Sequence, residues 1–261
     1  MIELNKRVPW ALCALIAPSV IWADDSCSEH PPVPAFTASY EVHRNDKKIG
    51  SAQVALKYLP TGEAVYSTHT EGTRGMARLL GVDVSESSTA RWIDCAYRTM
   101  HFEYEQKVAF SNKQHQFSID WEQNVATGEY KGKPWEIEVQ PGYTDSLLVN
   151  LQLMTDIAAR PELNVEWDYT VIRNNRVKQY RYRSVGHEQV QTPAGSFETL
   201  HVARIRDASS ERESEVWLDM TRFALPTVIR HVEDGDVLQM KLIAIETAAP
   251  AMVSDSASDE S

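Results

Sequence analysis

The chain has no apolar run long enough to cross a bilayer as a helix. Its apolar stretch near the start, Val8–Ile21, follows Lys6 and Arg7 and covers about 14 residues, against the roughly 20 that a spanning helix needs. A charged end, that run and the small Ala23 define residues 1–23 as an export signal, expected to be cut after Ala23, although Ile21 is bulkier than the usual residue two places before a cut. Neither Cys13 nor Cys27 stands in a setting suited to lipid attachment. The mature protein is therefore expected to be soluble, with no stable membrane insertion.

Positive charge is also scarce. Against 37 acidic residues stand 26 Lys and Arg, for a formal charge of −11, and losing Glu3, Lys6 and Arg7 with the signal leaves −12. Nucleic-acid binding needs clustered Lys and Arg, which the sequence does not show, so nucleic acid is excluded as a partner. The same balance disfavours simple attraction to anionic lipid head groups.

Cysteine is rarer still. Of three, only Cys27 and Cys95 survive removal of the signal, and such a pair in an exported protein is a disulfide candidate. The bridge would close a 69-residue loop, contributing about 4 kcal/mol in the chain-entropy account. Two separate thiols are the alternative.

Catalytic signatures are missing as well. The sequence contains no G-x-S-x-G, H-E-x-x-H, C-x-x-C, G-x-G-x-x-G or phosphate-loop pattern, and it calls for no cofactor, no metal and no catalytic residue. His101, Glu103 and Glu105 share a strand face, as do His69 and Glu71, but polar alternation on a solvated sheet face gives the same spacing. Glu211, Glu213 and Glu215 read as a charged edge that discourages strand pairing between molecules. Asp145 beside Ser146 reads as a helix cap.

What is present is the two-residue period of strands. Phe36, Ala38, Tyr40 and Val42 alternate with polar residues, and short strands recur between turn residues as far as Ile245. Lys178–Leu218 reads as three strands joined by Thr192-Pro193-Ala194-Gly195 and by the polar run at 208–212. Asp234-Gly235 marks a tight hairpin. Arg74–Val82 breaks the rhythm as a short helix or apolar flap carrying Met76, Leu79 and Leu80. One amphipathic helix is expected over about 145–160, capped by Thr144 or Asp145 and stopped by Pro161. The fold expected is mainly β: an antiparallel meander forming a curved sheet, roll or open barrel, with that helix packed on or in it. The organisation is a signal at 1–23, a Pro-rich linker at 24–35, one β-rich domain at 36–247 and a disordered acidic tail at 248–261.

Several stretches together resemble a known family. Phe36-Thr37-Ala38-Ser39-Tyr40 followed by Gly50, Thr73-Arg74-Gly75, the Asp145-Ser146 cap, Gly186-His187-Glu188, Thr192–Thr199, Val216-Trp217-Leu218 and Leu225-Pro226 resemble an exported Gram-negative family catalogued as domain of unknown function 3108. The resemblance covers roughly 36–246 and is most specific at Gly186–Thr199. It implies the periplasm and the fold, and transfers no catalytic residue. The leading expectation is a periplasmic, non-enzymatic binding or envelope-maintenance protein that holds an apolar or amphiphilic small molecule between curved sheet and helix, with Leu147, Leu151 and Met154 lining the groove. The alternatives are a hydrolase or other enzyme with a site built from distant strand ends, and a structural partner of another envelope protein.

Overall fold

A computed structural model describes residue 28 and residues 30–247, except 110 and 208. The proposed signal, Cys27 and the proposed acidic tail lie outside the described residues.

The chain forms β1 (Phe36–Arg44), β2 (Lys47–Tyr58), β3 (Glu63–Gly72), a short helix α1 (Gly75–Leu79), then β4 (Asp83–Ile93), β5 (Ala96–Val108), β6 (Ser111–Asp120), β7 (Val125–Tyr130) and β8 (Lys133–Glu138). After β9 (Tyr143–Asp145) and helix α2 (Leu148–Ala159) come β10 (Glu166–Arg173), β11 (Arg176–Thr192), β12 (Gly195–Ile205), β13 (Glu213–Asp219), β14 (Leu225–Glu233) and β15 (Asp236–Thr247).

All fifteen strands make one curled sheet in the order β8 through β1, then β15 down to β9. Every neighbouring pair is antiparallel except β9 with β10. Two meanders thus meet where β1 pairs with β15, in register from Phe36↔Thr247 to Arg44↔Leu238. The sheet does not close, because β8 and β9 are unpaired edges. The hairpins follow local chemistry. Asn45-Asp46, Asp94-Cys95 and Asp234-Gly235 all take positive φ, the backbone whose twist matches that of the strands it joins. Gly186 does not end β11: it sits where the register slips between Ser184 and Gly186, so one strand continues from Arg176 to Thr192 through a bulge.

The inward residues of the strands, with α2, form a single core. Phe36, Tyr40, Leu56, Tyr66, Phe102 and Phe117 meet Leu148, Leu151, Met154 and Ile157 there. The linker joins in: Val33 is buried and accepts a hydrogen bond at its carbonyl from the Tyr58 hydroxyl at 2.6 Å. Val33 thus packs with the core of the strands although it precedes β1.

The helix itself corrects the expected groove. Leu147, Leu151 and Met154 are 2%, 0% and 1% exposed, and Leu148, Val149, Leu153, Thr155 and Ile157 are buried too. Burial on α2 is wider than one stripe, with Asn150 and Ala158 exposed and Gln152 and Asp156 half-buried, so these residues fill core and line no open groove. Asp145 sets its start. One carboxylate oxygen accepts from the backbone N–H of Leu147 (2.8 Å) and Leu148 (2.7 Å) and from the Ser88 hydroxyl (2.8 Å); the other accepts from the Thr99 hydroxyl (2.8 Å). The cap thereby ties β9 to the inner face of β4 and β5.

Candidate functional site

Antiparallel order places alternate turns at opposite ends of the sheet. One end holds α2 and the linker. The other holds α1 and the turns β1–β2, β5–β6, β7–β8, β10–β11, β12–β13 and β14–β15. Toward that second end the inward stripe of several strands changes from apolar to polar. On β4 it runs from Ala90 through Ser88 to Glu86, on β6 from Phe117 to His115, on β12 from Leu200 and Val202 to Arg204, and on β13 from Leu218 and Val216 to Ser214. Cross-strand pairing then sets Glu86 beside Tyr104, Tyr104 beside His115, and Ser214 beside His231.

Three arginines gather at this mouth. Arg204 lies over the ring of Tyr180, 3.3 Å from its centroid. Arg173 reaches the Tyr180 hydroxyl at 3.5 Å. Arg206 donates to the Ser214 hydroxyl at 2.8 Å, and that hydroxyl lies 3.0 Å from Nδ1 of His231. Among the described residues none of the three forms an ion pair, and the Nε atoms of Arg204 and Arg206 are buried without a hydrogen-bond partner. Desolvation and the Arg204 charge push the Arg206 guanidinium below its ordinary value. His231, open to solvent on one side, is held low by desolvation and by the charges of Arg206, Arg204 and Arg173; His115 is held low by desolvation and Arg173. Across the mouth, burial and the Asp145 charge raise the Glu86 carboxyl to about 7, against the pull of Arg173. Glu86 is therefore only partly ionised at neutral pH and neutralises the arginines incompletely.

Arg204 and Arg206 line a cleft of about 350 Å³ with Arg181, Asp168 and Asp207, and Arg173 lines another of about 470 Å³ between the β7–β8 and β10–β11 turns. Lys131, Arg173, Arg176, Lys178 and Arg212 line this second cleft with Tyr130 and two asparagines, and no carboxylate does. In a chain of charge −11 this is a local reversal of sign. α1 borders the same end. A Cβ on Gly72 would sit 2.5 Å from the Ala77 carbonyl oxygen, so only glycine lets the helix lie so close to the inward side of β3. α1 buries none of its own residues: Met76 is 64% and Leu79 77% exposed, with Leu80 exposed beside them.

The residues singled out from sequence lie elsewhere. His101 sits on the outer face, with Glu103 at 2.9 Å from Nε2 and the Ser118 hydroxyl at 2.8 Å from Nδ1. His69 repeats the pattern with Glu71 and Ser85, both at 2.9 Å. With Asp83 these residues bring three ligand atoms within 4.8 Å of one another, but both ring nitrogens are already engaged. Glu105 pairs with Lys107, and Glu213 and Glu215 with Arg230. Asp145 serves as the cap. Arg173 and the Arg204–Arg206 pair could not be grouped because about 30 residues and two strand turns separate them in sequence; their signal was a charge standing on the inward parity of a strand.

No helix among the described residues is long and apolar enough to cross a membrane. The fold is similar to that of a β-barrel-like protein of domain of unknown function DUF1849 from Brucella abortus, at 8% identity and TM-score 0.52, covering 83% of this chain and 98% of that one. Weaker likenesses are a DUF1089 family protein from Pseudomonas aeruginosa (10% identity, TM-score 0.34, 85% and 95% covered) and the hypothetical lipoprotein YmcC from Escherichia coli (10% identity, TM-score 0.31, 84% and 87% covered). Among curated proteins none matches. A family model matches residues 39–243, so the chain belongs to the family described as Protein of unknown function (DUF3108).

Proposed function

We propose that this is a non-enzymatic binding protein of the bacterial envelope that holds an amphiphile at the open end of its curled sheet. The observation that carries the reading is α1, whose Met76 and Leu79 stand in solvent at the end of the sheet that also holds a cationic cleft. Exposed apolar side chains grouped on one element mark an interaction surface, and their place at the same end of the sheet as arginines without ion pairs fits a ligand with an apolar part and a polar part. The export signal read at residues 1–23 supports the compartment. The site differs from the groove first expected, since Leu147, Leu151 and Met154 are core.

Titration with the neutral apolar probe Nile red tests the reading. The parent protein is expected to bind it, and Leu79→Asp or Met76→Asp, both on exposed positions, to weaken binding by about tenfold with the fold intact. A parent protein that binds no apolar probe would end it.

An enzymatic reading draws on one observation, the Glu86 carboxyl raised to about 7 beside Tyr104 and Arg173. The buried Asp145 carboxylate adds little to it, because four donors already occupy its oxygens. Docking on another protein by strand addition fits poorly, since edge strand β8 carries Lys133, Pro134, Glu136 and Glu138, the residues that discourage such pairing.

A further inference from the structure

We infer that Arg173, Arg204 and Arg206 seat a single anionic group, a phosphate or carboxylate, which on the reading above is the polar end of the amphiphile. Arginine is suited to this role because its planar fork of N–H donors meets such oxygens in pairs. Three observations support it independently of α1.

First, the three cations make no direct ion pair, and the carboxylates Glu86 and Glu233 act on Arg173 only without contact. Most surface arginines here are paired: Arg44 with Asp236, Arg91 with Glu63, Arg98 with Asp94, Arg181 with Asp168, Arg183 with Glu166 and Arg230 with Glu213. Among the described residues Arg173, Arg204 and Arg206 are not, although acidic residues outnumber basic ones by 37 to 26 in the sequence. The facing carboxyl, Glu86, keeps part of its proton at neutral pH.

Second, donors are left unused where unused donors are unfavourable. The Nε atoms of Arg204 and Arg206 are buried and unpartnered, and a buried donor without an acceptor is destabilising. Stacking of Arg204 flat on Tyr180 occupies the face of the guanidinium and leaves its in-plane N–H groups available.

Third, there is room and a matching field. Arg173 lines a cleft of about 470 Å³ with Arg176, Lys178, Lys131 and Arg212, the last paired with Glu233. Arg204 and Arg206 line a cleft of about 350 Å³ with Arg181, Asp207 and Asp168, the last paired with Arg181. In each, cations outnumber carboxylates, a field that favours an anion. A cluster retained only for packing would need neither cleft.

Calorimetric titration of the mature protein with three probes tests the seat: a short-chain phosphatidic acid, a neutral alkyl maltoside of equal chain length, and inorganic phosphate. The phosphatidic acid is expected to bind about tenfold or more tightly than the maltoside, with the advantage shrinking as salt is raised. Arg204→Gln and Arg206→Gln should each remove about tenfold of that advantage, while Arg91→Gln, ion-paired with Glu63 at the other end of the sheet, should leave it unchanged. If either inner variant fails to fold by circular dichroism, Arg173→Gln and Arg176→Gln at the exposed rim carry the test. Equal affinity for both amphiphiles, untouched by the arginine variants, overturns the seat and leaves the amphiphile reading standing. Binding of inorganic phosphate alone, lost in Arg204→Gln, supports the seat as a site for a free anion and overturns the amphiphile reading. Binding of none of the three overturns both.

Discussion

Arg204 stacks on Tyr180 at 3.3 Å while its Nε atom finds no hydrogen-bond partner. Held beside Arg206 without a counterion, the side chain gains a cation–π contact and loses hydration, and the two effects oppose each other. Arg204→Met is therefore expected to stay within about 1 kcal/mol of the parent stability, or to exceed it, since replacing a poorly compensated charge by an apolar chain is often neutral or stabilising. Urea melts measure this. A loss well above 2 kcal/mol would show that Arg204 is a structural residue.

Asp145 makes the opposite case. Its carboxylate takes four hydrogen bonds and sets the start of α2, so Asp145→Ala removes a cap and strands the hydroxyls of Ser88 and Thr99. The expected loss is about 3 kcal/mol. Asp145→Asn, which keeps an acceptor oxygen, should lose less. Equal urea midpoints for the parent and Asp145→Ala would contradict the bonding described.

Leu151 is fully buried in the middle of α2, where truncation leaves a cavity that close-packed neighbours fill only in part. Leu151→Ala should lower stability by about 2 to 5 kcal/mol and leave amphiphile binding at the far end unchanged in protein that remains folded. Binding lost in step with this substitution would return the site to α2.

Acidity acts through Glu86. Its carboxyl lies near 7 in the folded chain, raised chiefly by burial, against an ordinary value of 4.5. Between those values the folded state holds a proton that the unfolded state has released. Stability contributed in this way is present below about 4.5 and declines as pH rises to about 7. Glu86→Gln cannot titrate, so its advantage over the parent should be larger at pH 8 than at pH 5. Denaturation midpoints that change in parallel for the two proteins would remove Glu86 from the account.

The expected Cys27–Cys95 bridge has a structural setting on one side. Trp92 Nε1 donates to the carbonyl of Ser28 at 2.9 Å, holding the residue after Cys27 to the β4–β5 hairpin whose turn contains Cys95. Protein exported to an oxidising compartment should show no reactive thiol when denatured without reductant. Two reactive thiols per chain would disprove the bridge.

Much of the fold was legible because strand parity and turn chemistry are local. Asn45-Asp46 and Asp234-Gly235 announced hairpins, and Phe36, Ala38, Tyr40 and Val42 announced an inward face. The site was less legible, because Arg173, Arg204 and Arg206 meet only after three strands and a loop have found their registers. The sparse positive charge pointed away from anions for the same reason: a net charge says nothing about how a few cations are gathered. Gly186 suggested a strand break because a glycine that ends a strand and one that relaxes a bulge look alike without the partner strand. The periodic stripe of Leu147, Leu151 and Met154 suggested an amphipathic helix, whereas contact with β5, β9 and β10 buries the helix more widely than one stripe.

The register that joins Phe36 to Thr247 also fixes when the molecule can be completed. Strands β1 to β8 and β10 to β15 can each zip up by neighbour-to-neighbour hairpins, with β9 added in parallel beside β10 after α2, but the seam between the two halves requires segments about 200 residues apart to meet, a slow closure by its loop entropy. In spatial order the sheet is one uninterrupted meander from β10 to β8, with β9 laid in parallel on its β10 edge, and the chain is cut at the middle of that meander instead of at its edges. Rejoining Thr247 to Phe36 by a short linker and opening the chain between β8 and β9 would keep every strand pair in place. It would replace the one distant pairing by a local hairpin, so the permuted chain should fold faster than the natural order with little change in what is finally built.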